Sequence, residues 1–142
     1  MNEPRFRILL VEDNAGDVYL FRKALREAQV AFDSTVLDDG AQALAFVRGE
    51  GTYADIPVPD LVLLDLNLPK NEGVQVLAAI RQSQRLAAVP VIVTSSSHSP
   101  RDQEETARLG IECYLRKPPD LEEFMRIGTI LKEVLNRNLR SI

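Results

Sequence analysis

Two apolar runs, FRILLV (residues 6–11) and DLVLLD (60–65), pass through the chain without regular alternation of polar and apolar residues. A strand with one wet face alternates; a run that stays apolar has both faces covered, as crossover helices cover a parallel sheet. Three more runs of strand length follow, STVLD (34–38), PVIVTS (90–95) and ECYLR (112–116). Between the runs, apolar residues recur at every third or fourth position. Val18, Phe21, Leu25 and Ala28 form one such stripe, and Val74, Leu77, Ile80 and Arg81 continue the pattern further on. These stripes predict amphipathic helices lying on a sheet. Five strands alternate with five helices, the last from about residue 121 to 138, which predicts an α/β fold: a doubly wound, five-stranded parallel sheet flanked by five helices. Pro90, Pro100 and Pro118 fall at element starts, where a missing N–H costs least, and Gly40, Gly73 and Gly110 mark the junctions.

The 142 residues suit one domain with its core over about 6–138, and no output domain is expected after the fifth helix. No apolar run approaches the roughly 20 residues that span a bilayer. The N-terminus lacks the pattern of a secretory signal and Cys113 is the single cysteine, which points to the cytoplasm. A net charge of −4 offers no basic field for nucleic acid, so a protein or a small phosphorylated molecule is the expected partner.

Parallel sheets bind ligands beyond the carboxyl ends of their strands, and those ends are chemically loaded. The first is followed by Glu12 and Asp13, the third closes on Asp65, the fourth runs into Thr94, Ser95, Ser96 and Ser97, and the fifth into Arg116 and Lys117. Three carboxylates on one rim repel one another unless a cation sits among them. Oxygen ligands with no His or Cys cluster favour a hard divalent ion, and Mg²⁺ fits best because it shares carboxylates, water and phosphate oxygens. Lys117 and the hydroxyls opposite would bind the remaining oxygens of a phosphoryl group.

VEDN at the first strand end, LLDLNLP around Asp65, the hydroxyls after PVIV, and YLRKP together resemble the receiver domain of two-component response regulators, the CheY-like fold. From Asp65 to Ser95 is 30 positions and from Ser95 to Lys117 is 22, a register similar to that family's phosphoacceptor, hydroxyl and lysine. The resemblance spans about residues 6–138. LNLPK and the loop GEGTYADIPVPD further resemble the small single-domain regulators that pair with bacterial phytochrome-type histidine kinases.

The resemblance implies that Asp65 accepts a phosphoryl group from a kinase histidine or a histidine phosphotransfer protein. Glu12, Asp13, Asp65 and the backbone carbonyl of Asn67 would hold Mg²⁺, and Lys117 would pair with a phosphoryl oxygen. A cis Lys117–Pro118 bond, frequent in the family, would aim the lysine inward. Ser95 would then move toward the phosphate and Tyr114 would turn inward, remodelling the surface of the fourth helix, fifth strand and fifth helix. The chain departs from the commoner family pattern in having Glu12 before Asp13, Ser for Thr at 95, and Ser96 where Ala or Gly is common. A bulkier residue at 96 is expected to slow water attack.

Other residues have simpler readings. Asp13, Asn14 or Asp17 can cap the first helix. Thr94, Ser96 and Ser97 read as strand-end and loop hydroxyls, His98 as a loop residue, Cys113 as a small buried hydrophobe and Arg116 as a solvated cation. In the last helix Leu121, Phe124, Leu131 and Leu135 are expected to face the core, leaving Met125, Ile130 and Val134 as a second stripe. That stripe predicts a homodimer through the fourth helix, fifth strand and fifth helix. Two competing functions remain, an aspartyl-phosphate phosphohydrolase and a pseudo-receiver that binds partners unphosphorylated. The first typically needs an acid two positions after its nucleophile, where Asn67 stands, and the complete set of acids and lysine disfavours the second.

Overall fold

The computed structural model describes residues 5–69, 72–97 and 99–139. Strands β1 (Phe6–Val11), β2 (Phe32–Leu37), β3 (Leu61–Asp65), β4 (Val91–Ser95) and β5 (Cys113–Arg116) are all parallel, in the order β2-β1-β3-β4-β5. Helices α1 (Ala15–Glu27), α2 (Gly40–Arg48), α3 (Glu72–Gln82), α4 (Pro100–Leu109) and α5 (Leu121–Leu139) alternate with them, and a 3₁₀ turn occupies Gly51–Tyr53.

The unbroken apolar runs have the cause that the sequence suggests. Successive residues of β1 point to opposite faces: Ile8 and Leu10 join Val18, Phe21 and Leu25 of α1 and Phe124, Ile127 and Leu131 of α5, whereas Leu9 and Val11 join Phe46 of α2 and Leu77 and Ile80 of α3. Each central strand is therefore apolar on both sides, and β3 and β4 are buried along their whole length. At about 1.5–3 kcal/mol for each large apolar side chain buried, these two layers dominate the stabilisation.

The edges are less regular. β2 begins two residues before the predicted 34–38 and ends one earlier, because Phe32 and Asp33 pair with Phe6 and Arg7. It is an edge strand, so its partly exposed residues mix polar with apolar. Asp60 precedes β3: its N–H donates to the Arg7 carbonyl and its carboxylate accepts from the Arg7 N–H. Arg81 is no part of an apolar stripe; its guanidinium donates to the carbonyls of Gly110, Ala87 and Val89. Cys113 is half-buried against the α1–α5 layer. The loop after α2 is fastened by Arg85, which donates to the carbonyls of Phe46 and Ile56 and lies over the Phe46 ring.

The fifth helix corrects the predicted stripe. Leu121 is 53% exposed, while Ile127 and Val134 are buried in the core. By helical periodicity Leu121 and Met125 flank one edge of the core face and Ile130 the other, so no continuous second stripe exists. The phase is set at Gly128, where α5 approaches α1 so closely that a Cβ would come within 2.2 Å of the Ala24 carbonyl oxygen. Phe21 and Phe124 close the same contact, with ring centroids 5.0 Å apart.

Candidate functional site

The strand order places β1 between β2 and β3, so consecutive crossovers leave β1 in opposite directions and open a crevice beyond the β1 and β3 carboxyl ends. Glu12 follows β1 and stays in the ladder through its N–H to the Leu37 carbonyl, which turns its side chain into this crevice, where it is 2% exposed. Asp13 stands beside it on the exposed rim. Asn14 caps α1, its side-chain oxygen accepting from the Asp17 N–H at 3.0 Å. The cap is thus Asn14, and Asp13 and Asp17 keep their carboxylates for other work.

Asp65 is the last residue of β3 and only 4% exposed. Its Oδ1 accepts from the Asn67 N–H at 2.9 Å, a local turn that fixes the carboxylate against its own backbone. From β5, the Lys117 N–H donates to the Ser95 carbonyl, carrying the strand pairing one residue past Arg116. That register delivers the Lys117 side chain to the crevice although the described backbone contains no cis peptide bond; the Lys117–Pro118 bond is trans, contrary to expectation. Lys117 Nζ then meets Glu12 Oε1 at 2.5 Å, Asp17 Oδ2 at 2.9 Å and Asp65 Oδ2 at 3.4 Å.

Three carboxylates, Glu12, Asp17 and Asp65, share one ammonium here, and Asp13 stands beside them. Burial, followed by the hydrogen bond and the charge of Asp65, pushes the Glu12 carboxyl up to about 8, with Lys117 offsetting only part of the rise. Burial alone pulls Lys117 down, but its hydrogen bonds to Glu12 and Asp17 and the charges of Asp65 and Glu12 outweigh that and hold it above the ordinary lysine range. The cluster is short of positive charge, and the raised Glu12 carboxyl is the consequence. A divalent cation would make good the deficit. Glu12, Asp13 and Asp65 each offer an oxygen within 4.8 Å of the others, so this donor set fits a hard cation.

The hydroxyl side of the crevice is more organised than the sequence suggests. Ser95 is fully buried, and its Oγ donates to Asn67 Oδ1 at 2.8 Å. The same amide oxygen accepts from the Ser96 N–H and hydroxyl, and the Ser97 N–H donates back to Ser95 Oγ. Tyr114 is half-buried, its hydroxyl 3.4 Å from the Ser97 carbonyl. Thr94 is buried and Arg116 exposed. His98 and Lys70 lie outside the described residues.

Glu12, Asp13, Asp65, Ser95 and Lys117 thus meet at one rim, with Tyr114 behind the hydroxyls. Sequence reasoning missed two features, the Asp17 contact to Lys117 and the side-chain role of Asn67. The first had a faint signal, since Asp17 falls in the first turn of the helix that follows Glu12 and Asp13, and so starts at the same rim.

Residues 8–127 match the family model of the response regulator receiver domain. The chain is 39% identical over 126 residues to response regulator Rcp1 of Synechocystis sp., covering 89% of this chain and 85% of that protein. It superposes on the phosphorylated cyanobacterial phytochrome response regulator RcpA with a TM-score of 0.84 at 38% identity, covering 92% and 93% of the two chains. The Mn²⁺-bound form of Rcp1 gives a TM-score of 0.82 at 37% identity, covering 89% and 91%.

Proposed function

The chain belongs to the response regulator receiver domain family, and on that premise we propose that it is a stand-alone receiver accepting a phosphoryl group on Asp65 in a Mg²⁺-dependent reaction. The observation that carries this reading is the convergence of Glu12, Asp13, Asp65 and Lys117 on one rim, from strand ends far apart in sequence. The donor is the histidine of a sensor kinase or of a histidine phosphotransfer protein. The likeness to RcpA, a phytochrome response regulator, supports a phytochrome-type kinase.

In this mechanism an Asp65 carboxylate oxygen attacks phosphorus in line, the P–N bond to the donor imidazole breaks, and the electron pair leaves with the imidazole. Lys117 neutralises charge on a phosphoryl oxygen. Glu12, Asp13, Asp65 and the Asn67 backbone carbonyl would hold Mg²⁺, which when bound spreads the charge on the transferring group. That the similar regulator Rcp1 has a Mn²⁺-bound form supports the binding of a divalent ion. Ser95 then leaves Asn67 for the phosphate, loosening the Ser97 N–H that its Oγ holds, and Tyr114 follows inward, so that the surface of α4, β5 and α5 changes. Phosphoryl loss is slow and self-catalysed. Hydrolase chemistry is disfavoured because Asn67, two positions after Asp65, is an amide tied to Ser95 and Ser96.

No helix among the described residues is long and apolar enough to cross a membrane. Homodimerisation through α4, β5 and α5 remains part of the proposal on a narrower basis. Half-buried Ile130 and the exposed charges Arg101, Glu104, Glu105 and Arg108 of α4 support it. Sedimentation showing only monomer with and without a phosphoryl mimic would remove it.

Incubation with acetyl phosphate tests the main reading. One phosphoryl group per chain is expected with Mg²⁺, none after chelation and none in Asp65→Asn. Label retained in Asp65→Asn, or steady release of phosphate, would overturn the assignment.

A further inference from the structure

The geometry points to Asp17 as the positioning residue of Lys117, a fourth acid that orients the ammonium toward Asp65 without itself holding metal. An ammonium has three N–H donors and no acceptor. Two of them donate hydrogen bonds to carboxylates, at 2.5 Å to Glu12 and 2.9 Å to Asp17, and the third contact is an ion pair with Asp65 Oδ2 at 3.4 Å. The two short contacts form a fork that fixes Nζ. The third and longest faces the carboxylate on which the phosphoryl group would be carried, so that a phosphoryl oxygen can take over this contact without disturbing the other two.

Asp17 differs from the other two partners of Lys117. Glu12 and Asp65 belong to the oxygen cluster suited to a divalent ion, whereas Asp17 does not. When an ion draws on the electron pairs of Glu12 and Asp65, Asp17 is the acceptor left wholly to the lysine. Its position is firm: Asp17 is the third residue of α1, its N–H held by the Asn14 cap, and its side chain is 23% exposed. Lys117 is 12% exposed, so a lost partner is poorly replaced by water. The contact ties residues 100 positions apart, the start of α1 and the end of β5. It accounts for an acid that helix capping does not use.

The catalytic consequence rests on the phosphoacceptor reading, and the geometric claim does not. The test therefore has two arms. In the first, crystal structures of the wild type and Asp17→Asn are compared; Asn keeps the shape and the helix start but removes the charge. Lys117 Nζ is expected to leave the neighbourhood of Asp65, and an Nζ still held at its wild-type distance overturns the proposal. In the second, initial phosphorylation by acetyl phosphate is followed at Mg²⁺ concentrations saturating for each protein, so that altered metal affinity does not enter. Asp17→Asn should slow the reaction roughly tenfold, the scale of a misplaced catalytic group, and Asp17→Glu should recover most of the loss. In a Lys117→Met background, Asp17→Asn should have no further effect. Equal slowing in both backgrounds, or none in the wild-type background, overturns the proposal. A wild type that takes no label refutes the function instead, and the crystal structures still decide the geometry.

Discussion

At the scale of single residues the crevice is governed by an excess of carboxylate, and Glu12 shows it most clearly. Its folded-state carboxyl is raised from the ordinary 4.5 to about 8 by burial and by Asp65. Between those values the metal-free folded protein holds a proton that the unfolded chain has lost. This contribution to stability is therefore complete below about 4.5, shrinks as pH rises through the window and is gone above about 8. Urea denaturation of the metal-free protein should show a loss on the order of a few kcal/mol across the window, and Glu12→Gln should flatten that slope. A slope unchanged in Glu12→Gln would place the proton elsewhere. Metal must displace the same proton, so Mg²⁺ binding should tighten with rising pH over the same range. Asn67 is the other residue whose role is side-chain geometry: its amide oxygen accepts from Ser95 and from both Ser96 groups. Asn67→Ala should cost about 1–2 kcal/mol and speed amide exchange at Ser96 and Ser97, whose loop would lose its anchor. The residue types at strand ends were legible in the sequence; that one asparagine gathers a whole loop was not, because a side-chain acceptor leaves no periodic trace.

At the scale of elements, the helices differ sharply in how firmly they are held. α5 buries Phe124, Ile127, Leu131, Val134 and Leu135 and touches α1 backbone to backbone at Gly128. Gly128→Val should cost several kcal/mol, because the Ala24 carbonyl cannot retreat from the new side chain without moving α1; a thermal midpoint within error of the wild type would show that the two helices can separate freely. α4 buries Thr106 alone, whose hydroxyl is satisfied inside the helix by the carbonyls of Asp102 and Gln103. Hydrogen exchange should accordingly be much faster in α4 than in α5, and equal protection would contradict a loosely held α4. This contrast suits a surface that responds to events at Ser95. The strands of the central sheet were readable almost to the residue, β1 without error, since both of their faces are apolar. The phase of α5 was not, because apolar residues occupy more than one face of that helix and the choice among them is made by the contact with Ala24.

At the scale of the whole molecule, an ion held by Glu12, Asp13 and Asp65 would stabilise the fold, since Asp65 joins the other two acids only when the chain is folded. Mg²⁺ at about a hundredfold over its dissociation constant should add about 2.7 kcal/mol of stability, read as a rise in thermal midpoint, and Asp65→Asn should remove much of that rise. The sequence by itself determined the parallel sheet, through strands apolar on both faces, and the chemistry of its rim, through acids, hydroxyls and a lysine at strand ends in a fixed order. Those features are local or periodic, and hydrophobic pattern reports them directly. Only the tertiary structure decided that Lys117 donates to Glu12 and Asp17 while paired with Asp65, that Asn67 holds the loop after β4, and which face of α5 turns inward. Each depends on where two crossovers bring residues that stand tens of positions apart, and no local pattern records that distance.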